Sequence, residues 1–246
     1  MITDTCRQSR PLLVLVPSPL LGPYSWSLVA EELNTRGWPT RVSVDLPDDV
    51  PHQPRWASTV GGVNASLRDV AADCPVVLVA HSAAGPLLPA IGTAIRQPVR
   101  AYLFVDARLP SPGVSRLDAI AVEHRAIAAD RRANLETGHR FPTWTDADLR
   151  ELVPDPDRRR LLLAELRPRG ADFWIEALPE VGGWPDAPCC YLLLSAPYRS
   201  AADGARRAGW PTRHLPGGHF HPLVDPTAVV DALLGLVAEA IDAWTG

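Results

Sequence analysis

The sequence predicts an α/β protein: a mainly parallel sheet flanked by helices, with an inserted helical cap. Three observations predict it. Short apolar runs alternate with longer stretches of helical periodicity, which is the pattern of repeated strand-helix-strand units. Residues 76–80 are apolar without alternation, as expected of a strand buried on both faces. Finally, about eighty residues separate two successive strands, too many for an ordinary connection inside a compact sheet.

Taken in order, residues 11–16 read as the first buried strand, and 25–36 as a helix whose Leu28, Val29 and Leu33 share one face. Residues 40–46 form the next strand and 58–73 a helix. The apolar strand 76–80 then enters a sharp turn at 81–85 that opens another helix. Strands follow at 99–105 and 190–195, and the interval between them is the insertion. Its interior, about 115–179, carries helical patterns, many Arg and Asp residues, and Phe141, Trp144, Phe173 and Trp174. It reads as a helical cap over the C-terminal edge of the sheet, where open α/β sheets bind ligands. A last strand at 211–215, a loop at 216–225 and a terminal helix at 227–244 complete the chain. The division is therefore a core of 1–110 and 186–246 and a cap of 111–185, and 246 residues suit one domain with an insertion.

Composition excludes several classes. Hydrophobic residues at 46% and charged residues at 21% argue against disorder and membrane residence, and a net charge of −4 gives no reason to expect nucleic acid. The apolar stretch 11–16 is too short to span a bilayer and lacks a small-residue cleavage site, so the cytoplasm is the expected location. Cys6, Cys74, Cys189 and Cys190 have neither zinc-site spacing nor disulfide-scaffold density, and are expected to be reduced and mostly buried. Twenty-six prolines with abundant Ala, Arg and Leu have the look of a GC-rich bacterial genome. No cofactor is implied: there is no Gly-x-Gly-x-x-Gly, no Walker loop and no metal-ligand pair at metal-binding spacing. The expected partner is a small-molecule substrate, with a homodimer left open.

The chemistry concentrates at three places. In Ala80-His81-Ser82-Ala83-Ala84-Gly85, a serine stands between small residues directly after a strand and before a helix. So tight a turn exposes the serine and forces its neighbours to be small. A serine hydroxyl needs a base, and His219 follows a Gly-Gly pair after the last strand, on a loop able to fold back toward the turn. His221 is the fallback, and His214 falls within the strand. The third member is a carboxylate that orients the imidazole. The segment Ala196-Pro197-Tyr198-Arg199, after the later strand, contains none, whereas Asp106 stands at the end of the strand 99–105. Asp106 is favoured over Asp203, with a structural or substrate-binding role for Asp106 also open.

Ala-His-Ser82-Ala-Ala-Gly, Val-Asp106-Ala-Arg-Leu-Pro and Gly-Gly-His219-Phe together resemble the α/β-hydrolase superfamily, in element order from about Pro11 to the C-terminus. Within it the chain is most similar to the small capped enzymes that include plant methyl-ester esterases, hydroxynitrile lyases and haloalkane dehalogenases. The Asp106 segment is similar to the dehalogenase arrangement, although a Ser nucleophile does not imply dehalogenation. The resemblance implies an α/β-hydrolase fold and an oxyanion site near Ala83, Ser18, Pro19, Leu20 and Trp26. One departure stands out. The superfamily commonly has His-Gly-x after the first strand, with the residue after Gly donating a backbone N–H to the oxyanion. Here Val16-Pro17-Ser18-Pro19-Leu20 places Pro19 there, and proline has no N–H. Ala83 N–H remains, and either Leu20 N–H or the Ser18 hydroxyl substitutes, or the chemistry does not need a full oxyanion hole.

Three functions are compatible with these residues. The leading one is a serine hydrolase acting on an ester or thioester of an apolar small molecule through Ser82, His219 and Asp106. The second is a non-hydrolytic lyase or cyclase of a bacterial biosynthetic pathway, with His219 as general base; the Pro17-Ser18-Pro19 segment motivates it. The third is a ligand-binding protein that has kept the fold without turnover, against which the complete triad argues.

Overall fold

The computed structural model describes residues 10–47 and 53–245. Six strands form one sheet: β1 (Leu12–Val16), β2 (Thr40–Val42), β3 (Val76–His81), β4 (Val99–Val105), β5 (Cys189–Leu193) and β6 (Thr212–His214). Their order is β2-β1-β3-β4-β5-β6 and every neighbouring pair is parallel.

Alternation along the strands divides the core into two halves. Leu12, Val14, Val16, Val76, Leu78 and Ala80 point to one face; Leu13, Leu15, Val77 and Val79 point to the other. Because both faces are covered, these strands read as continuous apolar runs. Helices α1 (Ser27–Thr35), α2 (Trp56–Ser66) and α3 (Leu88–Ala94) belong to the core, α1 on the second face and α2 and α3 on the first. After β4 come the cap helices α4 (Arg116–Glu123), α5 (Arg125–Glu136), α6 (Asp146–Leu149), α7 (Pro156–Ala164) and α8 (Ala171–Ile175). The chain returns through α9 (Arg199–Arg207) on the first face, then α10 (His221–Val224) and α11 (Pro226–Thr245), whose Val229, Leu233 and Leu236 cover the second.

The cap has its own apolar contacts. Leu117, Leu135, Phe173 and Trp174 cluster with Leu20 of the core, while Leu149, Val153 and Leu162 cluster with Leu21, Phe220 and Leu223. Backbone bonds reinforce the seam, since Arg167 N–H donates to the Leu20 carbonyl at 2.9 Å. Both cap clusters therefore include a residue of the loop that follows β1, which fixes that loop beside the sheet edge.

Several predicted boundaries shift for identifiable reasons. The strand expected over 40–46 pairs only over Thr40–Val42; Leu46 N–H turns instead to the Ser58 carbonyl. The helix expected over 58–73 ends at Ser66. The buried Gln97 amide donates to the carbonyls of Leu67 and Val70, and the Leu67 carbonyl is one a continuing helix would need. Within the predicted loop 216–225, a single helical turn, α10, forms around Pro222. The reading of four reduced cysteines is corrected at Cys74, which is disulfide-bonded. Cys6 lies outside the described residues. Cys189 and Cys190 are free and buried, and burial pushes the Cys189 thiol up to about 12, so neither is an activated thiolate. Among the described residues no helix is long and apolar enough to cross a membrane.

Candidate active site

Ser82 follows β3 with φ of +59°, in the left-handed region that side chains other than glycine rarely occupy. Such a conformation costs on the order of 1–3 kcal/mol and persists only where the surroundings impose it. They do so here. Ala80 and Ala84 are fully buried, and a Cβ on Gly85 would come within 2.5 Å of the Arg108 carbonyl oxygen. Small residues around the serine are thus a packing requirement of the turn.

Asp106 ends β4 and has φ of +43°, a second left-handed side chain at the same sheet edge. It is completely buried. Oδ1 accepts the backbone N–H groups of Leu194 and Ser195, each at 2.9 Å, just beyond the end of the neighbouring β5. Oδ2 accepts the Ser195 hydroxyl and meets His219 Nδ1 at 2.8 Å. Burial alone would push this carboxyl up, yet the hydrogen bond and charge of His219, with the bonds from Ser195 and Leu194, outweigh it and hold the group below the ordinary carboxylate range.

An ionised carboxylate can only accept, so in the neutral imidazole Nδ1 carries the hydrogen and Nε2 is the bare nitrogen. His219 Nε2 stands 3.0 Å from Ser82 Oγ. The three residues therefore form one continuous chain of hydrogen bonds, from a buried carboxylate through an oriented imidazole to a hydroxyl on a strained turn. His221 and His214 lie outside it, on α10 and β6, and Asp203 is an exposed partner of Arg206 on α9.

A family model described as the alpha/beta hydrolase family matches residues 13–232. The chain belongs to the alpha/beta hydrolase family. No curated protein sequence matches this alpha/beta hydrolase. Among solved structures it is similar to an extracellular α/β-hydrolase from Paenibacillus described as sharing homology with tobacco salicylic acid binding protein 2 (17% identity, 94% of this chain and 98% of that one, TM-score 0.71). It is also similar to polyneuridine aldehyde esterase (16%, 93% and 99%, 0.68) and to tomato methylketone synthase I bound to 2-tridecanone (14%, 94% and 99%, 0.67). At these identities the likeness is one of fold.

Two groups at the site of this alpha/beta hydrolase were not singled out by the sequence reading. Tyr198 lies in the segment noted only for lacking a carboxylate. Its ring stacks on His219, with centroids 5.0 Å apart and planes 6° apart, and its hydroxyl is 3.2 Å from Ser82 Oγ. Burial raises its pKa, so the phenol keeps its proton. His81, immediately before the nucleophile turn, faces the His219 carbonyl oxygen through Nε2 at 3.0 Å, and its ring lies 4.4 Å from that of His219. Burial, and after it the His219 charge, lower its pKa to about 3, so His81 is a neutral donor that fixes the His219 backbone.

These groups open into a cavity of about 830 Å³ between sheet edge and cap. Ser82, Ala83, Leu20 and His219 line its floor, while Phe141 and Trp174 line the cap side. The other expected oxyanion residues stand elsewhere. Trp26 is corrected to a core residue: it is 1% exposed and packs edge-on against His81, behind the site. Ser18 is equally buried, and its Oγ accepts the Leu20 N–H at 3.4 Å. Pro19 presents only its carbonyl, to Arg169 Nε at 3.1 Å. The Leu20 amide thus turns toward Ser18 and not into the cavity. Among the described residues no group of three or more His, Cys, Asp or Glu is placed to hold a metal.

Proposed function

We propose that this alpha/beta hydrolase is a serine esterase or thioesterase acting on a small molecule with an apolar acyl part. The observation that carries the reading is the bond chain Asp106–His219–Ser82, at 2.8 and 3.0 Å. Ser82 Oγ attacks the acyl carbon while its proton passes to His219 Nε2. The oxyanion forms near Ala83 N–H. As the tetrahedral intermediate collapses, His219 returns the proton to the leaving alcohol or thiol, and water then releases the acyl group by the same route. Asp106 keeps Nδ1 protonated throughout. The apolar cavity at Ser82 supports a substrate of this kind.

The test is a panel of 4-nitrophenyl and thiol esters from acetyl to octanoyl. The proposal expects turnover by the wild type and loss of at least a thousandfold in both Ser82→Ala and His219→Ala. A Ser82→Ala protein that keeps full activity would sink it.

A non-hydrolytic reading is favoured by one observation, the thinness of the oxyanion site: Pro19 has no N–H and the Leu20 N–H is turned to Ser18. Losing one donor typically costs about a hundredfold or more in acyl transfer. A proton abstraction by His219, with Ser82 and Tyr198 only hydrogen-bonding the substrate, needs no full oxyanion hole. Activity on a lyase or cyclase substrate that survives Ser82→Ala but not His219→Ala would establish that reading; stable acylation of Ser82 by simple esters would exclude it.

A further inference from the structure

The cap carries a half-buried cation that makes no ion pair and no hydrogen bond among the described residues. Arg131, on α5, lines the same cavity as Ser82 and His219. Its guanidinium lies over the ring of Trp174 at 4.6 Å and that of Phe141 at 5.1 Å, both cavity residues. These contacts engage the charge of the guanidinium and give none of its five N–H donors an oxygen acceptor.

None of those donors meets a described residue, because Arg131 makes no hydrogen bond and no ion pair among them. The charges of the other buried or half-buried arginines of the wall are paired, although Arg116 keeps its Nε and Nη2 without a hydrogen-bond partner. Arg108 pairs with Glu123 at 3.0 Å, and Arg116 pairs with Glu176 at 2.8 Å and donates to the Phe173 carbonyl. Arg207 has no described ion partner either, but it is exposed. The neighbouring Asp130 carboxylate is no counter-ion: it accepts from Asn134, and no oxygen of it reaches Arg131 within 4 Å. Burial accordingly draws the Arg131 pKa down, with the Asp130 charge only opposing the shift. None of the Arg131 nitrogens is fully enclosed by protein; they are open to the cavity, where a bound anion can take them up.

We infer that Arg131 is the anchor for a carboxylate, so that the substrate is an amphipathic monoacid with its carboxylate held at the cap and its acyl group at Ser82. A carboxylate matches the guanidinium edge two bonds at a time. A monoanion also matches one cation in an apolar cavity, whereas a phosphate dianion would stay half-neutralised. The acyl end of this assignment rests on the esterase reading above; the anion site does not.

The experiment separates the two. Binding is measured by calorimetry with N-methyl adipamate, whose amide resists turnover, and with neutral N-methyl hexanamide, on wild type, Ser82→Ala, Arg131→Gln and Arg131→Lys. The inference expects the acid to bind wild type and Ser82→Ala alike and Arg131→Gln about 10- to 100-fold more weakly, with Arg131→Lys in between. Binding of the neutral amide should change less than about twofold in all four, which also reports on folding. Turnover is read on 4-nitrophenyl monoesters of succinate to suberate against the matching neutral esters. Arg131→Gln should lower kcat/KM by a similar factor on the acids only. Acid and neutral probes weakened equally by Arg131→Gln, or an acid that binds wild type no better than the amide, would overturn the inference. Selective acid binding without ester turnover would instead leave the anion site standing and remove the esterase reading.

Discussion

Replacing Asp106 with Asn tests the orientation of the imidazole with almost no change in shape. The outcome follows from the partners. Oδ1 accepts two backbone N–H groups, from Leu194 and Ser195, so the amide oxygen of the variant must occupy that position. The amide nitrogen then stands where Oδ2 stood, 2.8 Å from His219 Nδ1. Being a donor, it selects the imidazole with a bare Nδ1 and a protonated Nε2. That tautomer presents an N–H to Ser82 Oγ and cannot take its proton. Loss of the correct tautomer in a serine-histidine-aspartate site costs about 10⁴ in kcat, equivalent to about 5 kcal/mol at 1.36 kcal/mol per tenfold. The assay is steady-state hydrolysis of the best 4-nitrophenyl ester between pH 6 and 9, with circular dichroism and a denaturant midpoint as controls for folding. Activity within tenfold of wild type in a folded Asp106→Asn protein would refute the argument, because Asp106 would then not be setting the tautomer.

Other consequences follow from the same geometry. Ser195→Ala removes one of the donors that hold the Asp106 carboxyl low, so the acid limb of the pH-rate profile should move to higher pH; an unmoved limb would show that Ser195 is not part of the charge balance. Pro19→Ala supplies an N–H where the superfamily pattern has its oxyanion donor and, if that position serves the oxyanion in this chain, should raise the acylation rate by about tenfold or more in a stopped-flow burst. No gain would mean that another group already fills that role. Tyr198→Phe keeps the ring stacked on His219 but deletes the hydroxyl at Ser82, and should lower kcat/KM by about three- to tenfold with a stability change under about 1 kcal/mol. His81 makes stability depend on pH. Its folded pKa of about 3 lies below the unfolded 6.5, so the unfolded chain binds the extra proton between those values, and stability falls as pH falls through that window. This one group contributes a slope of up to about 1.4 kcal/mol per pH unit there. Denaturant titrations of wild type and His81→Gln between pH 7 and 4.5 should show the slope flattened in the variant.

Much of the architecture was legible because the strands of a sheet covered on both faces are themselves unbroken apolar runs. β1, residues 76–80 of β3 and residues 101–105 of β4 are of this kind, and β3 and the tight small-residue turn behind it led directly to Ser82. His219 was legible from its place after the last strand, and Asp106 from its place at the end of β4. The elements that moved were those decided by distant partners. The Gln97 side chain ends α2 from thirty residues away along the chain, and the Ser18 hydroxyl turns the Leu20 amide aside. Tyr198 was passed over because that segment was read only for a carboxylate, and a hydroxyl at Ser82 is visible only once the chain is folded. Trp26 failed in the opposite way: it matched a family pattern in sequence, but its side chain serves the core. Arg131 was one of many cap arginines until its aromatic neighbours, and its lack of an ion partner among the described residues, came into view.

The central claim is that Ser82 is an activated nucleophile, and covalent labelling tests it most directly. Wild type and Ser82→Ala are incubated with a fluorophosphonate probe and their intact masses recorded. The account predicts one probe adduct on the wild type, mapped to Ser82 by peptide mass, and none on the variant. A folded wild type that takes up no probe, or an adduct that persists undiminished in Ser82→Ala, would contradict it.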